Sequence, residues 1–301
     1  MELPNLLRLE KNYLDSISGE LVLLNAQMMT KEQPYTTLNN GMRMPLFGLG
    51  AWDMYGQEAE QGTLDALEIG YRLIDTATMY NNEMEIGDAV RKSGIPRNEI
   101  FVTTKVPNSK QGYDSTLKAF EASMKTLNID YIDLYLVHWP VRGKRKETWN
   151  ALERLYNEKQ IKGIGVANYL LPFLKELESY CTVTPVVNQL EFSPWLYLKN
   201  EFQYCTKHDI RLQSYSPLTR GRKFKDERLV KLSKKYSKTP AQIILRWNIE
   251  HGISTIPKSS NKKRLQENFD IFDFSLSKED VEWMDSFNEN FRVVEDPMWM
   301  L

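Results

Sequence analysis

Four side chains of different chemical types end the first strands that the sequence predicts. Asp75 ends one strand, Tyr80 follows it five residues later, and Lys105 and His138 end the next two strands. A free phenol has a pKa of about 10, and a neighbouring ammonium favours its anion. We therefore expect Asp75 to hold Lys105 in place and Lys105 to lower the pKa of Tyr80. Tyr80 would then donate a proton near neutral pH.

His138 can hydrogen-bond and polarise a carbonyl group. For this residue alone, a histidine satisfied within the core is the better interpretation. The other two histidines, His208 and His251, fall at predicted helix ends, and no second His or Cys offers a metal-ligand spacing, so we expect no metal site. Because no nucleophile is required, the set favours proton transfer coupled to hydride transfer.

A hydride needs a carrier, and later strand ends have side chains suited to hold one. Asn168 and Gln189 offer donors and acceptors for a carboxamide, and Tyr215 can stack on a flat ring. A basic, hydroxyl-rich loop near the end of the chain contains Lys258, Ser259, Ser260 and Arg264. A capped helix with solvated charges is the alternative for that loop taken alone. The Lys and Arg beside hydroxyls favour an extra phosphate, and hence NADP over NAD.

Strands and helices alternate along the chain. The predicted strands are Leu46–Leu49, Arg72–Asp75, Phe101–Thr104, Leu134–Val137, Gly163–Val166, Val186–Leu190, Arg211–Ser214 and Thr255–Ile256. The predicted helices are Gln57–Ile69, Glu83–Ser93, Ser115–Leu127, Lys146–Lys159, Leu171–Tyr180, Lys199–His208, Ala241–His251 and Lys262–Asn268. This order predicts a parallel sheet with right-handed crossovers, and an α/β fold closed into a (β/α)8 TIM barrel is the economical arrangement.

Two elements flank the predicted barrel. Asn40-Gly41 predicts a two-residue β-hairpin that caps the N-terminal end of the barrel. Ser277–Phe287 predicts an extra C-terminal helix with Ser277 as its N-cap. We expect residues 34–301 to form one domain. Residues 1–33 are interpreted as an N-terminal extension, either a docked helix or a disordered tail, and a partner-binding helix is a third possibility.

A doubly wound open sheet is the competing fold. That fold usually carries G-x-G-x-x-G after its first strand. The strings Gly48-Leu49-Gly50 and Gly163-Ile164-Gly165 lack the third glycine. The barrel is therefore favoured.

Composition excludes several classes of partner. The 301 residues include 39 Lys+Arg and 40 Asp+Glu, for a net charge of −1, so we expect neither nucleic acid nor a membrane as a partner. Two cysteines, Cys181 and Cys205, do not make a disulfide framework. No apolar run approaches the ~20 residues of a membrane span, and no targeting segment is evident. A cytoplasmic protein is expected.

From about Leu38 onward the chain resembles the aldo-keto reductase family. The matching motifs are GYRLIDTATMYNNEMEIG, LYLVHWP, NQLEFSPW, SYSPL and IPKSSNKKRLQEN, in family order. The resemblance implies an NADPH-dependent reductase of aldehydes or ketones, monomeric, on a TIM barrel. It places the family's catalytic tetrad on Asp75, Tyr80, Lys105 and His138.

The resemblance also implies binding residues. Nicotinamide contacts fall on Asn168, Gln189 and Tyr215. Contacts to the 2′-phosphate and adenine fall on Lys258, Ser259, Arg264, Glu267 and Asn268. Further cofactor contacts are implied for Gly50, Ala51, Trp52, Asp75, Ser216 and Leu218. An aromatic wall around a small carbonyl substrate is implied for Trp52, Tyr80, His138 and Trp139. Trp299 either closes the site or belongs to a disordered apolar tail.

The chain departs from the family pattern at a few positions. Leu73 stands where the family commonly has His, Ala167 where it has Ser, and Ala51 where it has Thr. Ala167 removes one hydrogen bond to the carboxamide, so we expect a more weakly held or differently posed nicotinamide. The segment after Tyr215 is short, as in the microbial and plant branches, which implies an open substrate mouth. His138, rather than the glutamate of steroid double-bond reductases, implies a carbonyl reducer.

Two other functions remain open at this point. A catalytically weak NADPH-binding regulatory or structural subunit could use the same barrel, and an aldolase could use Lys105 as a Schiff base. Methylglyoxal, aromatic aldehydes, sugar aldehydes and keto-esters fit an open aromatic pocket about equally.

Overall fold

The computed structural model describes residues 33–301, so the interpretation of the N-terminal extension falls, apart from Gln33, outside the described residues. A two-stranded hairpin, β1 (Tyr35–Thr37) and β2 (Arg43–Pro45), precedes an eight-stranded parallel sheet in sequential order. The strands of this sheet are β3 (Leu49–Gly50), β4 (Leu73–Asp75), β5 (Phe101–Val106), β6 (Ile132–Val137), β7 (Ile161–Ala167), β8 (Val187–Glu191), β9 (Arg211–Tyr215) and β10 (Ser254–Ile256).

The sheet closes between its first and last strands. Gly48 N donates to Thr255 O at 3.0 Å, and Thr255 N donates to Leu46 O at 2.9 Å. Phe47 also forms a parallel bridge with Thr255, so the predicted first strand is divided between this bridge and the short β3. The TIM-barrel prediction is confirmed.

Ten α-helices are described among residues 33–301. They are α1 (Gly56–Ile69), α2 (Glu83–Lys92), α3 (Tyr113–Leu127), α4 (Arg145–Asn157), α5 (Leu171–Glu178), α6 (Lys199–Lys207), α7 (Glu227–Tyr236), α8 (Pro240–Glu250), α9 (Lys262–Phe269) and α10 (Lys278–Asp285). The nine predicted helices all occur, with ends shifted by one to two residues. The C-terminal helix begins after Ser277, whose side chain accepts from Asp280 N as predicted. None of these helices is long and apolar enough to cross a membrane.

Helix α7 is absent from the sequence prediction. It is short and basic and buries only Leu229 and Leu232, so its few apolar residues give little sequence signal despite their helical spacing. Only one helix, Ala241–His251, is predicted between β9 and β10, because Thr239-Pro240 is a typical helix start. The last strand-to-strand connection therefore contains two helices.

Asp226 caps α7 and gives a prediction for stability. Its side chain accepts from Arg228 N and from Trp195 Nε1, and the Arg228 guanidinium holds the pKa of Asp226 down at about 2. We expect Asp226→Ala to lower the free energy of unfolding by about 1–2 kcal/mol. Asp226→Asn keeps the capping oxygen and should cost less.

The pH dependence separates the charge from the cap. Because the pKa of folded Asp226 lies at about 2, below an ordinary carboxyl at about 3.9, its contribution is present above that value and is lost as the pH falls towards about 2. Urea unfolding across this acid range should show a shallower pH dependence for Asp226→Asn than for the wild type. Parallel pH profiles for the two proteins would contradict this account.

The hairpin loop differs from the prediction. Leu38 N donates to Met42 O and Gly41 N donates to Leu38 O, each at 2.8 Å, so the loop has three residues, Asn39–Gly41, rather than two. Gly41 has a φ of 83°, which is typical of a type I turn followed by a left-handed residue. Asn40 is therefore a turn residue before the glycine rather than the first half of a two-residue turn.

The hairpin caps the N-terminal end of the barrel, as predicted. The amide of Asn39 donates to Pro185 O and Asp209 O, and the amide of Asn40 donates to Lys162 O. These carbonyls lie at the starts of β8, β9 and β7. The opposite end of the barrel, where the strands finish, therefore stays available for a site.

Inward-facing positions alternate along the strands and form a small apolar layer in the barrel. It contains Leu73, Phe101, Leu134, Leu136, Ala167, Val187 and Ile256, with Leu38 and Met44 from the hairpin. Side chains two residues further along a strand point to the same side. Asp75, Lys105 and His138 thus lie on the same side as this layer, nearer the open end of the barrel.

Leu73 lies in this layer, two residues before Asp75, and is fully buried. A Cβ added at Gly48 would lie 2.5 Å from Leu73 Cγ. The family commonly has His at this position, and a buried His would need a hydrogen-bond partner. Leu73 needs none, and the missing side chain of Gly48 leaves the space that the Leu73 side chain fills.

Candidate active site

Lys105 links three groups at the open end of the barrel. Its Nζ donates to Asp75 Oδ1 at 2.6 Å, to Thr76 O at 2.9 Å and to Tyr80 Oη at 3.3 Å. Lys105 is 1% exposed and Asp75 is 2% exposed. A buried ion pair with additional hydrogen bonds holds its members in one geometry.

Burial governs the protonation of these groups. It lowers the pKa of Lys105 and raises the pKa of Asp75, while the attraction between the two charges opposes both changes. Burial, and then the Asp75 carboxylate, raise the pKa of Tyr80 well above that of a free phenol. The net pKa of Tyr80 is therefore raised rather than lowered as expected, because desolvation of the phenolate dominates. Tyr80 is protonated at neutral pH, which is the form that a proton donor needs.

His138 lies beside Tyr80 and is uncharged. The two rings meet edge to face with centroids 5.6 Å apart. Burial and the charge of Lys105 lower the pKa of His138 well below its usual value. Nδ1 is buried without a hydrogen-bond partner among the described residues, so we assign the proton to Nε2. A neutral imidazole with an Nε2–H can donate to a carbonyl oxygen.

A short turn after β4 positions Tyr80. Thr78–Tyr80 form one 3₁₀ turn that ends at Asn81 with a left-handed φ of 54°. The buried amide of Asn82 donates to Ala51 O and Met54 O and accepts from Thr76 Oγ1. This amide ties the turn to the segment after β3. The hydrogen bonds of Asn82 thus fix the turn that carries the phenol.

A cavity of about 280 Å³ opens above these groups. It is lined by Gly50, Trp52, Asp75, Met79, Tyr80, His138, Trp139, Asn168, Gln189, Tyr215, Ser216, Arg220, Ile256, Lys258 and Val294. All four predicted substrate-wall residues line it. The predicted cofactor residues Ala51, Leu218, Ser259, Arg264, Glu267 and Asn268 do not line this cavity, and their roles stay predictions.

The two amide side chains make hydrogen bonds to the site itself. Asn168 Nδ2 donates to His138 O at 2.9 Å, and Asn168 Oδ1 accepts from Tyr215 Oη at 2.7 Å. Gln189 Nε2 donates to Asp75 Oδ2 and to Gln213 Oε1, each at 2.7 Å. To hold the carboxamide of a nicotinamide, Asn168 and Gln189 would have to share these hydrogen bonds with it or exchange them for bonds to it.

The loop after β10 suits an anionic group. Lys258 is exposed, with Glu58 at 3.9 Å as its ion-pair partner, and Arg264 is exposed with no ion pair within the described part of the chain. Asn261 caps α9 by accepting from Arg264 N. At Gly50, an added Cβ would lie 2.6 Å from Ile256 O, so no side chain fits between these two strands. The aromatic wall, the amides and the two exposed cations together fit a dinucleotide with an extra phosphate.

One of the predicted adenine contacts is hydrogen-bonded within the fold, and another is buried. Glu267 Oε1 accepts from Thr239 Oγ1 at 2.9 Å, and Asn268 is buried. A nucleotide contact through Oε1 of Glu267 would have to be shared with Thr239.

Sequence reasoning missed several lining residues because they do not lie at strand ends. Arg220 belongs to the loop after β9, and its guanidinium lies 4.5 Å from the ring centroid of Trp52. Val294 comes from the C-terminal segment, where its backbone N–H donates to Glu191. Trp299 is 65% exposed and does not line the cavity. No periodic pattern marks Arg220 or Val294 in the sequence.

Comparison with known proteins identifies the relatives of this chain. The sequence model of the aldo/keto reductase family matches residues 46–289. A 9,11-endoperoxide prostaglandin H2 reductase of Trypanosoma cruzi is 47% identical over 265 residues, or 87% of this chain and 94% of that protein. A glyoxal reductase of Bacillus subtilis is 45% identical over 271 residues, or 90% and 98%. A mutant of Gox0644 crystallised with NADPH is 39% identical with a TM-score of 0.84, covering 88% and 98%.

Proposed function

The chain belongs to the aldo/keto reductase family, and we propose that it reduces aldehydes or ketones to alcohols with NADPH as the hydride donor. The observation that carries the proposal is the contact of Tyr80 with Lys105, and through it Asp75, beside an uncharged His138 at the floor of the cavity. Phenol, ammonium and imidazole meet there. This set suits proton donation to a reduced carbonyl.

In the proposed mechanism His138 orients the substrate and Tyr80 delivers a proton. The Nε2–H of His138 and the Oη–H of Tyr80 donate to the carbonyl oxygen, which makes the carbon more electrophilic. Bound NADPH supplies the hydride. As negative charge develops on the oxygen, Tyr80 transfers its proton there, and the ammonium of Lys105 stabilises the phenolate that remains. Asp75 keeps Lys105 charged and directed at Tyr80.

The cofactor would be held by the groups around the cavity and by the loop after β10. Tyr215 offers a ring face, Asn168 and Gln189 offer amides, and Lys258 and Arg264 offer positive charge to phosphates. The NADPH bound by the related Gox0644 mutant supports NADPH as the cofactor. The glyoxal reductase among the relatives supports a small dicarbonyl as one candidate substrate.

A substrate panel tests the proposal. Purified protein with NADPH should oxidise the cofactor on addition of glyoxal, methylglyoxal or an aromatic aldehyde, and alcohol should form in equal amount. Tight NADPH binding without turnover on any carbonyl would instead support a cofactor-binding subunit. A covalent substrate adduct trapped by borohydride would support a Schiff-base aldolase.

Arg264 gives a prediction for cofactor choice. Arg264→Ala should raise KM for NADPH about tenfold or more, because a hydrogen bond between charged groups contributes about 1.5–3 kcal/mol. KM for NADH should change less than about twofold by the same reasoning. Lys263→Ala removes an equal charge from the same turn and is the matched control, with little effect expected. An equal rise of KM for both cofactors in Arg264→Ala would contradict the assignment of the 2′-phosphate.

A further inference from the structure

A buried carboxylate outside the tetrad lies behind its lysine. Glu83 is the first residue of α2 and is 5% exposed. No ion pair involving Glu83 is present among residues 33–301, and Lys105 is the cation whose charge acts on it. Burying a carboxylate without a paired cation is costly. The fold nonetheless keeps one beside the proposed catalytic centre.

The hydrogen bonds of Glu83 join the two backbone segments that carry the catalytic pair. Glu83 Oε1 accepts from Thr104 Oγ1 at 2.7 Å and lies 3.5 Å from Thr78 Oγ1. Thr104 precedes Lys105 on β5, and Thr78 begins the turn that ends at Tyr80. Thr78 Oγ1 also lies 3.3 Å from Lys105 O. Oε1 of Glu83 thus lies between the turn that carries Tyr80 and the strand that carries Lys105.

Buried polar side chains also surround Glu83. Ser123 of α3 is fully buried, with its hydroxyl 3.1 Å from Thr78 Oγ1. Tyr135 of β6 is also fully buried. The titratable groups around Glu83 and Lys105 are Asp75, Tyr80, Tyr135 and His138. A negative charge in such a setting acts on Lys105 with little screening by water.

We propose that Glu83 is a positioning residue for carbonyl reduction, with two effects. Its hydrogen bonds hold the Thr78–Tyr80 turn against the strand of Lys105, and its charge stabilises the ammonium that Tyr80 needs. The inference rests on the proposed function. Glu83 does not line the cavity, so it would act through Tyr80 and Lys105.

Glu83→Gln tests the effect of the charge. The single-turnover rate of carbonyl reduction at saturating NADPH should fall about tenfold, since a displaced or weakened proton donor loses part of its effect. The dissociation constant for NADPH should stay at the wild-type value. The alkaline limb of the pH profile should move down by about half a unit, because loss of a nearby negative charge makes the Tyr80–Lys105 pair release its proton more easily.

Two further variants separate the charge from the geometry. Glu83→Asp keeps the charge but shortens the side chain, so the rate should fall while the alkaline limb stays in place. Thr104→Val removes the hydroxyl and keeps Glu83, so it should lower the rate severalfold without moving that limb. This variant also tests the proposal if Glu83→Gln does not fold.

Glu153→Gln is the matched control. Glu153 is a similarly buried carboxylate on α4 that accepts from Trp149 Nε1 and from the backbone of Thr182 and Val183. The Glu153→Gln substitution should lower the melting temperature without moving the alkaline limb of the pH profile. Wild-type rate and pH profile in Glu83→Gln, or equal shifts in Glu83→Gln and Glu153→Gln, would overturn the inference and leave carbonyl reduction intact. Absence of turnover in the wild type would instead contradict the proposed function.

Discussion

Tyr80→Phe is expected to reduce the single-turnover rate of carbonyl reduction by about 10³-fold, within the range known for loss of a general acid. The ring remains and keeps its edge contact with His138, but the proton that the alkoxide needs is gone. Affinity for NADPH should change little, since the phenol is proposed to act on the substrate oxygen. Stopped-flow measurement of the reduction step and fluorescence titration of the cofactor check the two expectations separately.

Tyr169→Phe is the matched control for this loss. Tyr169 is fully buried, and its hydroxyl has no hydrogen-bond partner within the described residues. Removing that hydroxyl should leave the rate within about twofold of the wild type, because no hydrogen bond is lost. A Tyr80→Phe enzyme that keeps a rate near that of the control would exclude Tyr80 as the proton donor.

Lys105→Met is expected to affect both activity and stability. The reduction rate should fall by about 10³-fold, because the phenolate of Tyr80 loses its stabilising charge. The free energy of unfolding should fall by about 3–5 kcal/mol, since Asp75 becomes a buried carboxylate without its cation. Gln189 remains as its side-chain donor. Urea unfolding at neutral pH measures the second effect.

The pH dependence of Lys105→Met has a defined sign. Burial already raises the pKa of Asp75, and loss of Lys105 raises it further. A carboxyl with a raised pKa in the folded state favours folding as the pH falls, so the variant should regain stability in acid relative to the wild type. Asp75→Asn combined with Lys105→Met should regain stability at neutral pH while remaining inactive. A double variant less stable than Lys105→Met would contradict the account of this pair.

The strand-end residues could be predicted because a parallel barrel imposes a simple rule. Side chains alternate with a period of two, and all strands finish on the same face. Asp75 follows the inward Leu73 by two residues, and His138 follows the inward Leu136 by two. Their types then suggest the chemistry. Their convergence on one cavity follows from the fold.

Features set by tertiary packing could not be predicted in this way. Arg220 reaches the cavity from a loop by stacking on Trp52, and Val294 is held there by a hydrogen bond from its backbone N–H to the carboxylate of Glu191. The raised pKa of Tyr80 depends on how completely the phenol is desolvated, which residue types alone do not reveal. Glu83 reads in sequence as an ordinary acidic residue in the first turn of a helix. Its hydrogen bond with Thr104 of β5 becomes evident only in the folded structure.

The central claim is that a hydride and a proton from Tyr80 reduce a carbonyl in this cavity. The most direct measurement uses NADPH deuterated at C4 of the nicotinamide, with a small aldehyde as substrate, and analyses the alcohol by mass spectrometry. We predict deuterium on the carbinol carbon with the wild type and only trace alcohol with Tyr80→Phe, although both proteins bind the cofactor. The claim would be contradicted if the alcohol contained no deuterium with either of the two cofactors labelled on one face of C4. Undiminished labelled alcohol from Tyr80→Phe would also contradict it.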